Sequence, residues 1–364
     1  MGKKISKYYL QSKIGQGASG IVYIAFDENK SLYAIKMYNK KTNFEKKQSG
    51  LINEIKLSSK INHNRIVKNF ECFQTKTNSY LVMEFCNGGD LSDYIEENFR
   101  IEEGIVRIVT RQIVEGMNEL FRNNIIHRDL KPKNIFIHYP NLLNKDINKA
   151  EIKIGDFGIS VKVNHFENKT DFGYNQKCGI EGTFPYMAPE IINQNKFSIK
   201  SEIWSLGIIV YELVVGTIPF RGATRDEIKK KIEKGIYLIP RNINISNECI
   251  QFINSCLQYD PSNRISWENV INHGFISDNR ITLNQALSPH NYKYLYFSIY
   301  NKSEALNFNL QKNKKKEEEK LCNLLTNNTI LENSDQDEFT ENEEIFIREL
   351  NTIMIYSDEN ESNT

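Results

Sequence analysis

The 364-residue sequence has little of what marks several protein classes. No apolar run reaches the ~18 residues that cross a bilayer; the nearest, Leu206 to Phe220, carries Glu212. The N-terminal MGKKISKYYL has no signal-peptide apolar core. Six cysteines, at 72, 86, 178, 249, 256 and 322, are too dispersed for a disulfide framework or a zinc cluster. Excess charge is missing too: 47 Lys and Arg stand against 46 Asp and Glu, so no global basic field points to nucleic acid. No repeat of solenoid period is visible. These absences predict a soluble, cytoplasmic protein of a reducing compartment, with no nucleic-acid partner and no transmembrane segment. Met1-Gly2-Lys3-Lys4-Ile5-Ser6 does fit the loose pattern for N-terminal lipid anchoring. Lys3 directly after the glycine fits an acyltransferase pocket poorly, and an accidental match is the plainer reading.

What is present is enough apolar material, 40% of the chain, for a sizeable core. The length predicts two domains, or one bilobal unit with an appendage. Composition shifts near residue 277. Beyond it lie biased blocks such as Lys314 to Lys320 and an acidic stretch from Ser334 to Glu344. Residues 277–364 therefore read as a low-complexity, weakly folded tail, with an amphipathic helix possible at Ile345 to Ile355. Before it, Val22, Ile24 and Phe26 alternate as a strand, Asp27 to Lys30 reads as a turn, and Leu32 to Met37 resumes extended structure. Residues 45–60 read as a helix. Ile105, Ile108, Val109, Ile113, Met117, Leu120 and Phe121 form one helical stripe, and Trp204 to Val215 is apolar all round, as in a buried helix. A small strand-rich half thus precedes a larger helical half, and a cleft between them is a favoured ligand site.

The chemistry-bearing residues follow one another in order. Gly15-Gln16-Gly17-Ala18-Ser19-Gly20-Ile21-Val22 lets backbone amides approach phosphates. Alone, this spacing also opens a dinucleotide-binding βα unit or an ordinary hairpin; here a second strand follows rather than a helix. On the next strand Ala34 and Lys36 face the same way, so a base has room and the lysine reaches its phosphates. Glu54 lies on the inward stripe of the helix with Leu51, Ile55 and Ser58, and Lys36 is its natural partner. His127-Arg128-Asp129-Leu130-Lys131-Pro132-Lys133-Asn134 sits on a loop. Asp129 suits proton acceptance from a hydroxyl, Lys131 suits a transferred phosphoryl, and Asn134 offers an oxygen to a metal. Asp156-Phe157-Gly158 supplies a hard carboxylate for Mg²⁺. Gly182-Thr183 and Ala188-Pro189-Glu190 close the series.

Together these motifs resemble the eukaryotic protein kinase domain, serine/threonine branch, over residues 8–276. The resemblance implies a two-lobed α+β kinase fold with a small β-rich N-lobe and a larger helical C-lobe. It also implies a transferase that moves the γ-phosphoryl of ATP, with Mg²⁺, to Ser or Thr hydroxyls of protein substrates. Carried over, Ile14, Gly15, Gly17 and Gly20 cover the nucleotide, while Val22, Ala34 and Phe136 sandwich its base. Glu84 and Cys86 offer hinge backbone beside a Met83 gatekeeper. Lys36 pairs the phosphates with Glu54, Asp129 is the catalytic base, and Asn134 and Asp156 hold the metal. Thr183 bridges Asp129 and Lys131, and Glu190 pairs with Arg264. Leu81 to Leu91, with its Cys86-Asn87-Gly88-Gly89-Asp90 core, is similar to the hinge of the autophagy-initiating (unc-51-like) kinases. So is the long connection Pro140 to Ala150. NIMA-related and calcium-regulated kinases share the hinge pattern, but no EF-hand loop occurs.

Some positions depart from the family. Glu202 stands where it has aspartate to fasten the backbone around His127 and Arg128, and the extra methylene costs about 1 kcal/mol if a small shift absorbs it. Ser58 and Asn69 are polar where the interlobe stack is apolar, which leaves an ATP-binding, pseudokinase-like scaffold as the competing reading. Gly179 occupies the usual activation-loop phosphosite, so loop phosphorylation there is not expected to control the enzyme; Thr170 is the only other threonine of the segment beside Thr183, and Glu181 is a stand-in charge. Lys133 disfavours substrates with an upstream arginine, and Ile159 resembles kinases that favour threonine. The tail could recruit a regulatory partner.

Overall fold

A computed structural model describes residues 3–17, 20–40, 44–58, 61–143, 145–163, 182–240 and 242–277, with the side chains of 44–49 and 58 left aside. Gly2, the Ser58 side chain, Thr170, Gly179, Glu181 and the tail from 278 lie outside the described residues.

Alternating patterning in the first third closes into one antiparallel sheet of β1 (Lys4–Ile5), β2 (Tyr8–Gln16), β3 (Ile21–Phe26), β4 (Leu32–Asn39), β5 (Asn69–Gln74) and β6 (Asn78–Glu84), in the order β1-β2-β3-β4-β6-β5. The Asp27 to Lys30 turn is where it was expected. Its Asp27 carboxylate accepts the Ser31 N–H at 2.9 Å, and Lys30 takes a positive φ of 62°. Because side chains alternate, the sheet has two distinct faces. One buries Tyr8, Ala25, Ile35, Tyr80 and Val82. The other turns Tyr38 and Leu81 toward Leu51 and Ile55 of α1 (Phe44–Ser58).

The rest of the domain is mainly helical: α2 (Leu91–Asn98), α3 (Glu103–Arg122), α4 (Pro189–Gln194), α5 (Ile199–Val215), α6 (Arg225–Lys234), α7 (Asn247–Cys256) and α8 (Trp267–Ile271). Short strands β7 (Ile125–Ile126), β8 (Ile135–His138), β9 (Glu151–Ile154) and β10 (Val161–Lys162) carry the loops between α3 and α4. The expected α+β arrangement of a strand-rich lobe and a helical lobe is present. Backbone bonds join the lobes: Val67 N–H donates to Ile154 O at 2.9 Å and Ile154 N–H to Arg65 O at 2.8 Å.

Two helices differ in detail from their sequence patterns. On α3 the buried set also takes in Val106, Thr110 and Val114, while Ile105 and Ile108 are half-buried. The helix lies between α5 and β9, so a wider arc than one stripe is covered. Helix α5 begins at Ile199, before the apolar run, where the Ser201 hydroxyl accepts the Ser198 N–H at 3.2 Å. Lys200, Ser201 and Glu202 of that first turn are buried despite their polarity, because each has a specific polar partner.

Candidate active site

The Gly-rich segment forms the β2–β3 hairpin. Gly17 and Gly20 exchange backbone bonds at 2.9 and 3.3 Å. A Cβ on Gly20 would stand 2.4 Å from the Met37 carbonyl oxygen, so only glycine lets the hairpin lie this close to β4. Ile14 and Gly15 lie in the last residues of β2 before Gln16, and Ile14 is exposed. Register places Val22 opposite Lys36, and Ala34 opposite Met83. These four side chains therefore share the face of the sheet that meets the helical lobe. From below, Phe136 on β8 pairs with Lys153 of β9 and bridges to Asp90.

Beyond Met83 the chain crosses between lobes. The Glu84 carboxylate is bound at both ends, to Lys153 Nζ at 2.9 Å and to the Lys68 N–H at 3.2 Å. Cys86 lies on the irregular segment between β6 and α2, outside any strand or helix. Burial pushes the Cys86 thiol well above its ordinary range, so it is packing material rather than a nucleophile. The Asn87-Gly88-Gly89-Asp90 run is explained by fold. Asn87 exchanges two bonds with the Tyr139 backbone at 2.9 and 2.8 Å, and a Cβ on Gly88 would meet the Tyr139 ring at 2.7 Å. Asp90 caps α2 through the Ser92 and Asp93 N–H groups.

Buried between β4 and α1, Lys36 Nζ lies 3.2 Å from Glu54 Oε2 and 2.8 Å from Asp156 Oδ1. Tyr38 O–H also donates to Glu54 Oε2 at 2.9 Å. Burial disfavours the ammonium, but Asp156 and Glu54 together hold Lys36 charged, well above its usual pKa. Burial likewise opposes ionisation of Asp156, and the adjacent Lys36 overcomes it, so its pKa falls below the usual value.

The second cluster surrounds Asp129. Lys131 Nζ donates to Asp129 Oδ2 at 2.6 Å and to Thr183 Oγ1 at 2.5 Å, while Thr183 N–H donates to Asp129 Oδ1 at 2.8 Å. Asn134 Nδ2 donates to Asp129 O at 2.8 Å and to its Oδ2 at 3.2 Å. Thr183 thus bridges Asp129 and Lys131. Beneath them His127 Nε2 lies 3.0 Å from Gly155 O while Nδ1 accepts the Asp129 N–H at 3.3 Å, and burial lowers its pKa. That arrangement fits a neutral ring with its proton on Nε2. The Arg128 N–H donates to Glu202 Oε1 at 2.7 Å, so the longer carboxylate reaches the backbone that the family's aspartate would hold. Arg128 itself lies over the Phe197 ring, 4.1 Å from its centroid. Farther off, Arg264 holds Glu190 with two bonds of 2.7 and 3.0 Å.

Comparison with known proteins gives this geometry a family. The protein kinase domain profile matches residues 8–276. The chain belongs to the protein kinase domain family. Myosin light chain kinase A of Dictyostelium discoideum is 34% identical over 275 residues, 75% of this chain and 88% of that protein. The probable cell cycle serine/threonine-protein kinase CDC5 homolog of Encephalitozoon cuniculi is 32% identical over 276 residues, 75% of this chain and 55% of that protein. Serine/threonine-protein kinase atg1 of Dictyostelium discoideum is 31% identical over 284 residues, covering 76% of this chain and 40% of that protein. The chain thus spans about half the length, or less, of the last two relatives.

Protein kinases use ATP with a divalent metal, and the donors here fit such an ion. Asp156 offers a carboxylate and Asn134, whose Nδ2 is turned to Asp129, offers its amide oxygen. Two hard oxygen donors beside phosphate are the kind of incomplete shell that Mg²⁺ accepts. Sequence reasoning missed Lys153, which fixes Glu84, and Asn53 of α1, whose amide reaches the backbone after Asp156. A lysine on a strand and an asparagine on a helix carry no signal without their partners. No described helix is long and apolar enough to cross a membrane.

Proposed function

We propose that this kinase transfers the γ-phosphoryl of Mg-ATP to Ser or Thr hydroxyls of protein substrates. The observation that carries the reading is the closed set Asp129, Lys131, Asn134 and Thr183, set in one cleft with Lys36, Glu54 and Asp156. Asp129 accepts the proton of the acceptor hydroxyl as its oxygen bonds to the γ-phosphorus and ADP departs. Lys131 neutralises charge on the moving phosphoryl, and Thr183 holds both side chains in register. Lys36, fixed by Glu54, takes the α- and β-phosphates. Asp156 and Asn134 would hold Mg²⁺, which would neutralise charge on the phosphates. Val22, Ala34 and Phe136 enclose the base beside Met83, the Glu84 and Cys86 backbone orients it, and Ile14, Gly15, Gly17 and Gly20 cover the phosphates.

The test is phosphate transfer from Mg-ATP to a generic Ser/Thr protein, with Asp129→Asn as control. We expect turnover that falls by at least about 10³-fold in the variant. If neither protein transfers phosphate while ATP still raises the melting temperature, the scaffold reading replaces this one. Glu202 speaks against the scaffold, because it makes the bond its position requires.

Within the family we place the chain with the autophagy-initiating type, supported by its similarity to atg1 and its long Pro140 to Ala150 connection. A cytoplasmic location and a tail partner belong to the same proposal. Pull-down with the intact chain, compared with a chain lacking the tail, tests the partner. Acylation at Gly2 is a lesser proposal, settled by the mass of the N-terminal peptide.

A further inference from the structure

Asn53 precedes Glu54 on α1 and has no part in the chemistry above. Its Nδ2 lies 2.7 Å from the carbonyl oxygen of Ser160, 3.1 Å from that of Phe157 and 3.4 Å from that of Gly158. A side-chain amide has two N–H bonds, so the two shorter contacts can be filled together. These carbonyls form the turn that follows Asp156, closed on itself by the Ser160 N–H to Phe157 O bond of 3.1 Å. The far side of the turn is tied to the catalytic loop. Ser160 Oγ donates to His127 O at 3.0 Å, and Arg128 Nη1 to Ile159 O at 3.3 Å. On the near side, a Cβ placed on Gly50 of α1 would stand 3.5 Å from Gly158 O, so helix and turn are already in contact range. Asp156 holds a φ of +64°, a left-handed conformation that a non-glycine residue keeps only where its surroundings fix it.

We propose that Asn53 is a positioning residue whose amide fastens the turn after Asp156 to helix α1, so that the aim of the Asp156 carboxylate and the approach of Glu54 to Lys36 are set together. This rests on the reading of Asp156 as a metal ligand. The helix meets the metal loop through two neighbouring residues: Glu54 acts through Lys36 on the Asp156 side chain, and Asn53 acts on the backbone behind it. Substituting the donor leaves carbonyls without that partner, and a carboxylate in its place sets oxygen against oxygen. Outer partners of this sort orient metal ligands, and their loss typically lowers metal affinity about 10–100-fold.

The test uses the full chain as wild type, Asn53→Asp, Asn53→Leu and Asp156→Asn. Mn²⁺ binding is followed by electron paramagnetic resonance with a non-hydrolysable ATP analogue, beside hydrogen exchange of residues 156–163, melting temperature and kinetics. Asn53→Asp is expected to weaken Mn²⁺ binding about tenfold and Asn53→Leu several-fold. Exchange at 157–160 rises, kcat falls more than the KM for ATP changes, and the melting temperature shifts by only a few degrees. If Asn53→Asp does not fold, the uncharged Asn53→Leu carries the test. Wild-type Mn²⁺ affinity and exchange in the Asn53 variants, with binding lost in Asp156→Asn, would overturn the inference and leave the kinase reading intact. Normal Mn²⁺ binding in Asp156→Asn would remove the metal-ligand reading, and the inference with it.

Discussion

Arg128 and Asp156 both hold positive φ, at 69° and 64°. Strain of this kind persists where bonds on every side fix the chain. For Arg128 one of these is the bond from its N–H to Glu202, which is buried beneath the catalytic loop. Burial raises the Glu202 pKa to about 7 against the bond and charge of Arg128, from an ordinary value of 4.5. Between those values the folded chain keeps a proton that the unfolded chain has lost, so stability falls as pH rises through that window and is level above it. The span corresponds to about 3 kcal/mol. Glu202→Gln keeps an acceptor for the Arg128 N–H and removes the titration. Its melting temperature should lie near wild type at pH 5 and roughly 5–10 °C above it at pH 8. Parallel profiles for the two proteins across that range would refute the argument.

Elements were legible in the sequence to the extent that their signal was local. The β3–β4 hairpin, α1 and the buried α5 carry period and turn residues that name them, and each lies within a few residues of its pattern. Strand β1 carries no such pattern: two residues pair because Tyr8 and Tyr9 return beside them. The site was legible for a different reason, since hydroxyl activation and metal binding demand particular residue types in fixed order. Asn53 and Lys153 act through partners distant in sequence, so nothing near them announces their role. The pair Glu190–Arg264, read from the family, joins α4 to the segment before α8, with Arg264 fully desolvated and its cation 5.2 Å from the Trp204 ring. Arg264→Leu should therefore cost about 3–5 kcal/mol in chemical denaturation, because Glu190 stays buried and unpaired. Adding Glu190→Gln should recover part of that loss. If Arg264→Leu alone cost under about 1 kcal/mol, the clamp would not matter to stability.

At the scale of the whole molecule, the proposed phosphoryl transfer would draw on both lobes at once. Lys36 and Glu54 come from the sheet half, while Asp129, Asn134 and Asp156 come from the helical half, and one hinge joins them. The polar contacts named above for this set lie between residues 36 and 183. The last described turn packs on the helical lobe: Arg107 and Arg111 of α3 reach the carbonyls of Gly274 and Ile276, and Phe275 is fully buried. A chain ending at Ser277 should thus keep kcat within about threefold and lose no more than a few degrees of melting temperature. The full chain and the truncated one would be compared on the same generic substrate and then on any protein captured by the intact tail. Equal turnover on the first and a loss confined to the second would make residues 278–364 a recruiting segment. A collapse of turnover on both, with the melting temperature unchanged, would mean instead that the tail completes the catalytic unit.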